Sequence, residues 1–166
     1  MKPIEDMLAD KIYELVNYVL SKKFIPDIKL DTVGMLKRED IVSLKQKLGI
    51  EGVILDIDDT LRSGMNKIPK CNEQWLDMLK EELKVIVVSN GIDGNVEKFL
   101  EAKGIDYIGF AHKPMKKNFI KACDRLGITP EKTLVIGDSV WCDIFGGQRN
   151  NMKTALVKKV EDDEIR

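Results

Sequence analysis

Three acids fall within four residues at the end of an apolar run, in Gly-Val-Ile-Leu-Asp-Ile-Asp-Asp-Thr-Leu at 52–61. Asp56, Asp58 and Asp59 crowd like charges together, which is unfavourable unless a cation or a shared proton compensates. Hard cations such as Mg²⁺ take carboxylate and carbonyl oxygens and are commonly completed by substrate phosphate. Taken alone, the same stretch also fits a solvated acidic turn. Three later features, each at a predicted strand end or just after it, make coincidence a poor account of the set. Ser89, Asn90 and the backbone at Gly91 offer hydroxyl, amide and N–H donors suited to phosphate oxygens, although Ser-Asn-Gly is also an ordinary turn. Lys113, pinned before Pro114, supplies a cation that clustered acids and a transferring phosphoryl group both need. Gly137-Asp138-Ser139 again ends an apolar run in a carboxylate; Asp138 suits direct metal ligation and Asp143 a supporting position that orients the site. His112 reads as a flanking residue.

These residues need elements that carry them to one place. Apolar β-branched runs predict parallel strands at Val53–Asp58, Lys84–Ser89, Tyr107–Phe110, Thr133–Asp138 and Thr154–Val157, buried on both faces. Helical spacing fills the gaps at Asn72–Glu82, Asn95–Lys103 and Lys116–Leu126, with Gly104 and Gly127 at the expected C-caps. The alternation predicts βαβ units: an α/β, Rossmann-like three-layer sandwich with a mostly parallel central sheet. Right-handed crossovers put every strand's carboxyl end on one edge, where such sheets bind ligands. That edge gathers Asp56, Ser89 and Asp138. Ahead of the core, Pro3–Lys23 and Arg38–Leu48 read as amphipathic helices, the second ended by Gly49. The whole chain, 1–166, is expected to form one domain, with 1–50 a helical extension packed on the core. The first helix carries Asp6, Asp10 and Glu14 on its polar face, which favours packing on the domain or a partner over membrane contact.

Asp56-Ile57-Asp58-Asp59-Thr60, then Ser89, Lys113, and Gly137-Asp138 with Asp143 resemble the four ordered motifs of the haloacid dehalogenase superfamily in its phosphatase form. Lys113-Pro114-Met115 and Phe145–Asn150 further resemble the YqeG-type branch of class IIIA phosphatases, relatives of which act as phosphatidylglycerophosphate phosphatases. The resemblance implies that Asp56 attacks phosphorus to form an aspartyl-phosphate and that Asp58 serves as general acid and base. It implies Mg²⁺ held by Asp56, the backbone carbonyl of Asp58, and Asp138. Thr60, Ser89, Asn90 and Lys113 would then serve the substrate phosphate, with Thr60 shaping the loop after the nucleophile. The segments between Thr60 and Ser89 and between Ser89 and Lys113 are consumed by predicted helices and strands, so no room remains for a cap domain. Capless members tend to act on large or lipid-linked phosphate esters that close over the site themselves. The loop Arg62–Lys70 is either a small flap or a solvated turn.

Composition narrows the alternatives. Lys plus Arg number 27 against 28 Asp plus Glu in 166 residues, giving a net charge of −1 and no whole-chain reason to expect nucleic acid or an anionic membrane as partner. Cys71, Cys123 and Cys142 form no metal or disulfide pattern, and a reducing cytoplasmic setting is the simplest expectation. No stretch is apolar enough to span a membrane, which leaves peripheral contact open. The competing class is a regulatory or binding protein that recognises phosphate without turnover, for which a nucleophile paired with an acid has no use.

Overall fold

The structure, a computed structural model, describes residues 3–161. Six strands form one fully parallel sheet: β1 (Ile28–Leu30), β2 (Gly52–Leu55), β3 (Lys84–Val88), β4 (Asp106–Ile108), β5 (Thr133–Gly137) and β6 (Lys153–Val157), in the order β1-β6-β5-β2-β3-β4. The helices are α1 (Ile4–Lys23), α2 (Arg38–Leu48), α3 (Lys70–Glu82), α4 (Gly94–Ala102), α5 (Lys116–Leu126) and the short α6 (Gly146–Gln148).

Strand alternation explains the layers. Successive side chains point to opposite faces. Val53 and Leu55 of β2, Val85 and Val87 of β3, and Leu134 and Ile136 of β5 enter one core with Trp75, Leu76 and Leu79 of α3 and Val96 and Leu100 of α4. Ile54, Ile86 and Val135 enter the other, against Phe119, Ala122 and Cys123 of α5. Both faces are therefore apolar, as their near-continuous hydrophobic runs require. Gly49 and Gly127, at φ 66° and 67°, end α2 and α5 in the left-handed conformation.

The segment read as a helical extension also contains a strand. Ile28–Leu30 pairs in parallel with Ala155–Val157 and closes one edge of the sheet. Three residues are too few to show a period, and their pairing partner lies at the far end of the chain. Between β1 and α2, Leu36 is buried and its carbonyl accepts from Trp75 Nε1 at 2.9 Å, which ties this segment to α3. By contrast, α1 leaves Ile4, Leu8, Ile12, Leu15 and Val19 exposed. Just past its end the chain meets the domain, where the Phe24 ring lies 4.8 Å from that of Phe145 and Ile25 O accepts from Gln148 Nε2. No helix of the described residues is long and apolar enough to cross a membrane.

Candidate active site

The strand ends deliver the acids to one edge and then separate them. Asp56 N still donates to Ile136 O at 2.9 Å, which extends the β2–β5 pairing by one residue. Beyond it the chain turns sharply, with Leu61 N and Arg62 N both donating to Ile57 O. Asp59 takes φ 58°, a conformation that Asp tolerates, and its carboxylate accepts from Gly64 N at 2.9 Å. Asp56 is thereby buried, Asp59 exposed, and Asp58 turned to Arg62.

Asp56, Asp138 and Asp143 each bring a carboxylate oxygen within 4.8 Å of the others. Asp143 is thus a full member of the cluster, reached through a π-helical turn at Val140–Phe145 directly after β5. Asp58 supplies no side-chain oxygen to this trio. Lys113 Nζ donates to Asp56 Oδ1 at 2.7 Å and to Asp143 Oδ1 at 2.6 Å, and its side chain is 3% exposed. Burial works against the ammonium, but the charges of Asp143 and Asp56 outweigh it and raise its pKa. Burial, reinforced by Asp143 and opposed by Lys113, raises the Asp56 carboxyl above its ordinary range. Burial and the charges of Asp56 and Asp143 push Asp138 up to about 7. One buried cation between three acids leaves the cluster short of positive charge, so the donor set fits a hard divalent cation.

The remaining predicted residues surround this centre. Thr60 is fully buried, and its hydroxyl donates to Asp56 Oδ2 at 3.1 Å and lies 3.4 Å from Asp138 Oδ1. It therefore orients the carboxylates and is closed off from the opening. Ser89 is buried and accepts from Gly91 N at 3.2 Å. Asn90 accepts from Lys113 N at 2.6 Å and so positions the lysine's backbone. His112 is exposed and packs edge-on to Phe110 at 4.9 Å.

Arg62 departs from the solvated-turn reading of its loop. It is buried, donating to Asp58 Oδ1 at 2.8 Å and to Asp93 Oδ2 at 2.9 Å. Asp93 also caps α4, accepting from Asn95 N and Val96 N. This chain of contacts ties Asp58 to a helix 31 residues beyond Arg62. Sequence gave one signal for it: an arginine four residues after an acid, at the start of a turn.

Gly137 is required by the same geometry. A Cβ there would stand 2.2 Å from the Asp143 carboxylate, so any side chain forces Asp143 aside. Gly137→Ala is expected to destabilise by roughly 1–3 kcal/mol, as overpacking does. In thermal unfolding this should appear as a midpoint lower by roughly 3–10 °C. An unchanged midpoint would show that Asp143 has room to move.

A family model described as haloacid dehalogenase-like hydrolase matches residues 68–151. A protein of Bacillus subtilis (strain 168) named probable phosphatase YqeG is 35% identical over 144 residues, covering 86% of this chain and 81% of that protein. Among solved structures, an uncharacterized protein from Listeria monocytogenes serotype 4b aligns with a TM-score of 0.55 at 19% identity, over 69% of this chain and 83% of its own. A hypothetical protein from Xanthomonas campestris gives 0.52 at 15% identity, over 79% and 71%. Those two likenesses concern the fold.

Proposed function

The chain belongs to the haloacid dehalogenase-like hydrolases, and on that premise we propose that it is a Mg²⁺-dependent phosphatase cleaving phosphate monoesters through an aspartyl-phosphate on Asp56. The observation that carries this reading is the trio Asp56, Asp138 and Asp143 within 4.8 Å, with Lys113 bound between two of them.

In the first step an Asp56 carboxylate oxygen bonds to phosphorus as the P–O bond to the alcohol breaks, and Asp58 gives its proton to the departing alkoxide. In the second, water attacks phosphorus, Asp58 takes the water proton, and the Asp56–phosphorus bond breaks to release phosphate. Arg62 fixes one oxygen of Asp58, while the other lies 3.7 Å from the position a Cβ on Gly91 would occupy. Asp58 thus borders Gly91 and the Ser89 hydroxyl, groups suited to the phosphoryl oxygens. Lys113 and Thr60 hold the nucleophile's carboxylate in place. Asp56, Asp138 and the Asp58 carbonyl would hold Mg²⁺, with Asp143 beside them. When bound, the cation supplies the positive charge that offsets charge on the phosphoryl oxygens.

The same site supports a large or lipid-linked ester as substrate, phosphatidylglycerophosphate being the specific candidate. Among the described residues no inserted domain covers the sheet edge. Segments on that edge instead expose Met65, Ile92, Phe110, Met115 and Trp141, apolar side chains suited to a greasy neighbour.

The test is release of inorganic phosphate from a panel of monoesters, phosphatidylglycerophosphate included, with and without Mg²⁺. Metal-dependent release supports the reading. Phosphate binding without turnover on any ester would replace it with a recognition protein.

Mg²⁺ should also be visible without catalysis. Asp56 and Asp138 have raised folded-state pKa values, so stability falls as pH rises from the unfolded carboxyl value toward about 7. The metal-free protein is therefore expected to melt several degrees lower at pH 8 than at pH 5.5. At pH 8, Mg²⁺ at about 100 times its Kd adds about 2.7 kcal/mol, or about 5–10 °C. Equal melting at both pH values and no response to Mg²⁺ would refute the metal centre.

A further inference from the structure

Next to the carboxylate trio lies a cleft of about 640 Å³ that shares Asp138 with it and is lined by Lys67, Lys158 and Lys159. We propose that this cleft binds a second anionic group of the substrate, a phosphate or carboxylate carried on the alcohol portion, through those three lysines. The proposal deepens the phosphatase reading, resting on it only for the identity of the first anion.

Both walls are built, so the lysines do not ride on loose segments. On one side, Lys158 N donates to Leu30 O at 2.9 Å and Lys159 N to Asp31 O at 3.0 Å, extending the β1–β6 edge past the last strand residue. On the other, the turn that carries Lys67 is closed by Gly64 N on Asp59 Oδ1 and by Asn66 N on Ser63 O at 3.0 Å. The edge strand β1 thus has a consequence at the site, because it and the residue after it anchor two of the three cations.

The charges are available. All three lysines are exposed. Lys158 reaches Asp31 only at 4.0 Å, and neither Lys67 nor Lys159 has a carboxylate within 4.0 Å among the described residues. The acids that share the cleft are engaged elsewhere: Asp59 with Gly64 N, Glu161 with the Thr32 hydroxyl at 3.4 Å, and Asp138 in the trio. With a chain-wide net charge of −1, three cations in one cleft reflect local arrangement and not bulk basicity. A molecule whose phosphoryl group sits at Asp56 meets this cleft across Asp138.

The experiment is calorimetric binding to the full, Mg²⁺-loaded chain of α,ω-alkanebisphosphonates of graded length, each against its matching monophosphonate. At the fitting length the bisphosphonate should bind about tenfold tighter. A variant carrying Lys67→Ala, Lys158→Ala and Lys159→Ala should lose that advantage, the three-arginine variant should retain it, and Lys121→Ala on α5 should leave it untouched. No advantage at any length, or one that survives the triple alanine change, overturns the proposal. Failure of the phosphatase reading would look different: no phosphate released from any monoester, with the bisphosphonate advantage intact. Two sources of the second anion are then separable, because the triple change should selectively reduce kcat/KM either for a lipid monoester bearing a phosphodiester or for a soluble monoester bearing a carboxylate.

Discussion

Asp56→Asn is expected to abolish phosphate release, lowering kcat by roughly 10⁴-fold or more, as removal of a covalent nucleophile does. The amide keeps the side chain's shape, its one oxygen accepting from Lys113 and its NH2 donating to the Thr60 hydroxyl, but it cannot attack phosphorus. The fold should survive. Burial and Asp143 already disfavour a charge on Asp56, and Lys113 keeps Asp143 as a partner when that charge is removed. A thermal midpoint within a few degrees of the native protein, with turnover lost, would separate chemistry from folding. Asp58→Asn should differ in kind, slowing departure of poor leaving groups far more than of nitrophenolate, which needs little protonation. Turnover by Asp56→Asn within tenfold of native would remove Asp56 from the nucleophile's role.

The sheet and its loaded edge were legible because each strand is a short apolar run that stops at a polar residue with a task. Asp56, Ser89 and Asp138 follow directly from that pattern. Part of what escaped depends on partners remote in sequence, and part on local turns that no apolar pattern marks. Ile28–Leu30 is a strand only because β6 is beside it. Arg62 opens a run of exposed residues, 63–67, and is itself buried because Asp58 and Asp93 both take its guanidinium. Asp143 reads as a supporting acid five residues beyond Asp138, yet the π-helical turn brings it into the carboxylate cluster. Thr60, expected near the substrate, is turned inward onto Asp56. The lysine cleft assembles from the turn after β2 and the end of β6, two segments that no local pattern connects.

Lys113→Met is expected to remove activity and stability together. Methionine keeps most of the apolar stem but leaves Asp56 and Asp143 buried without their cation. Breaking a buried pair by deleting one partner costs about 3–5 kcal/mol, because the remaining charge is uncompensated. For a domain of this size that is a midpoint lower by roughly 10 °C. The loss should also depend on pH. With the ammonium gone, the Asp56 carboxyl, already raised by burial and by Asp143, loses the group that opposed that rise and holds its proton to higher pH in the folded state, so the variant should recover stability toward pH 5 and lose more of it toward pH 8 than the native chain. The double variant Lys113→Met/Asp143→Asn should regain much of the midpoint, since one of the two stranded charges is gone, while phosphate release stays lost. Thermal unfolding at both pH values beside a phosphate-release assay reads all of this. A Lys113→Met midpoint within about 2 °C of native at pH 8, by the same scaling, would mean that the acids find another counter-charge and that Lys113 does not hold the cluster together.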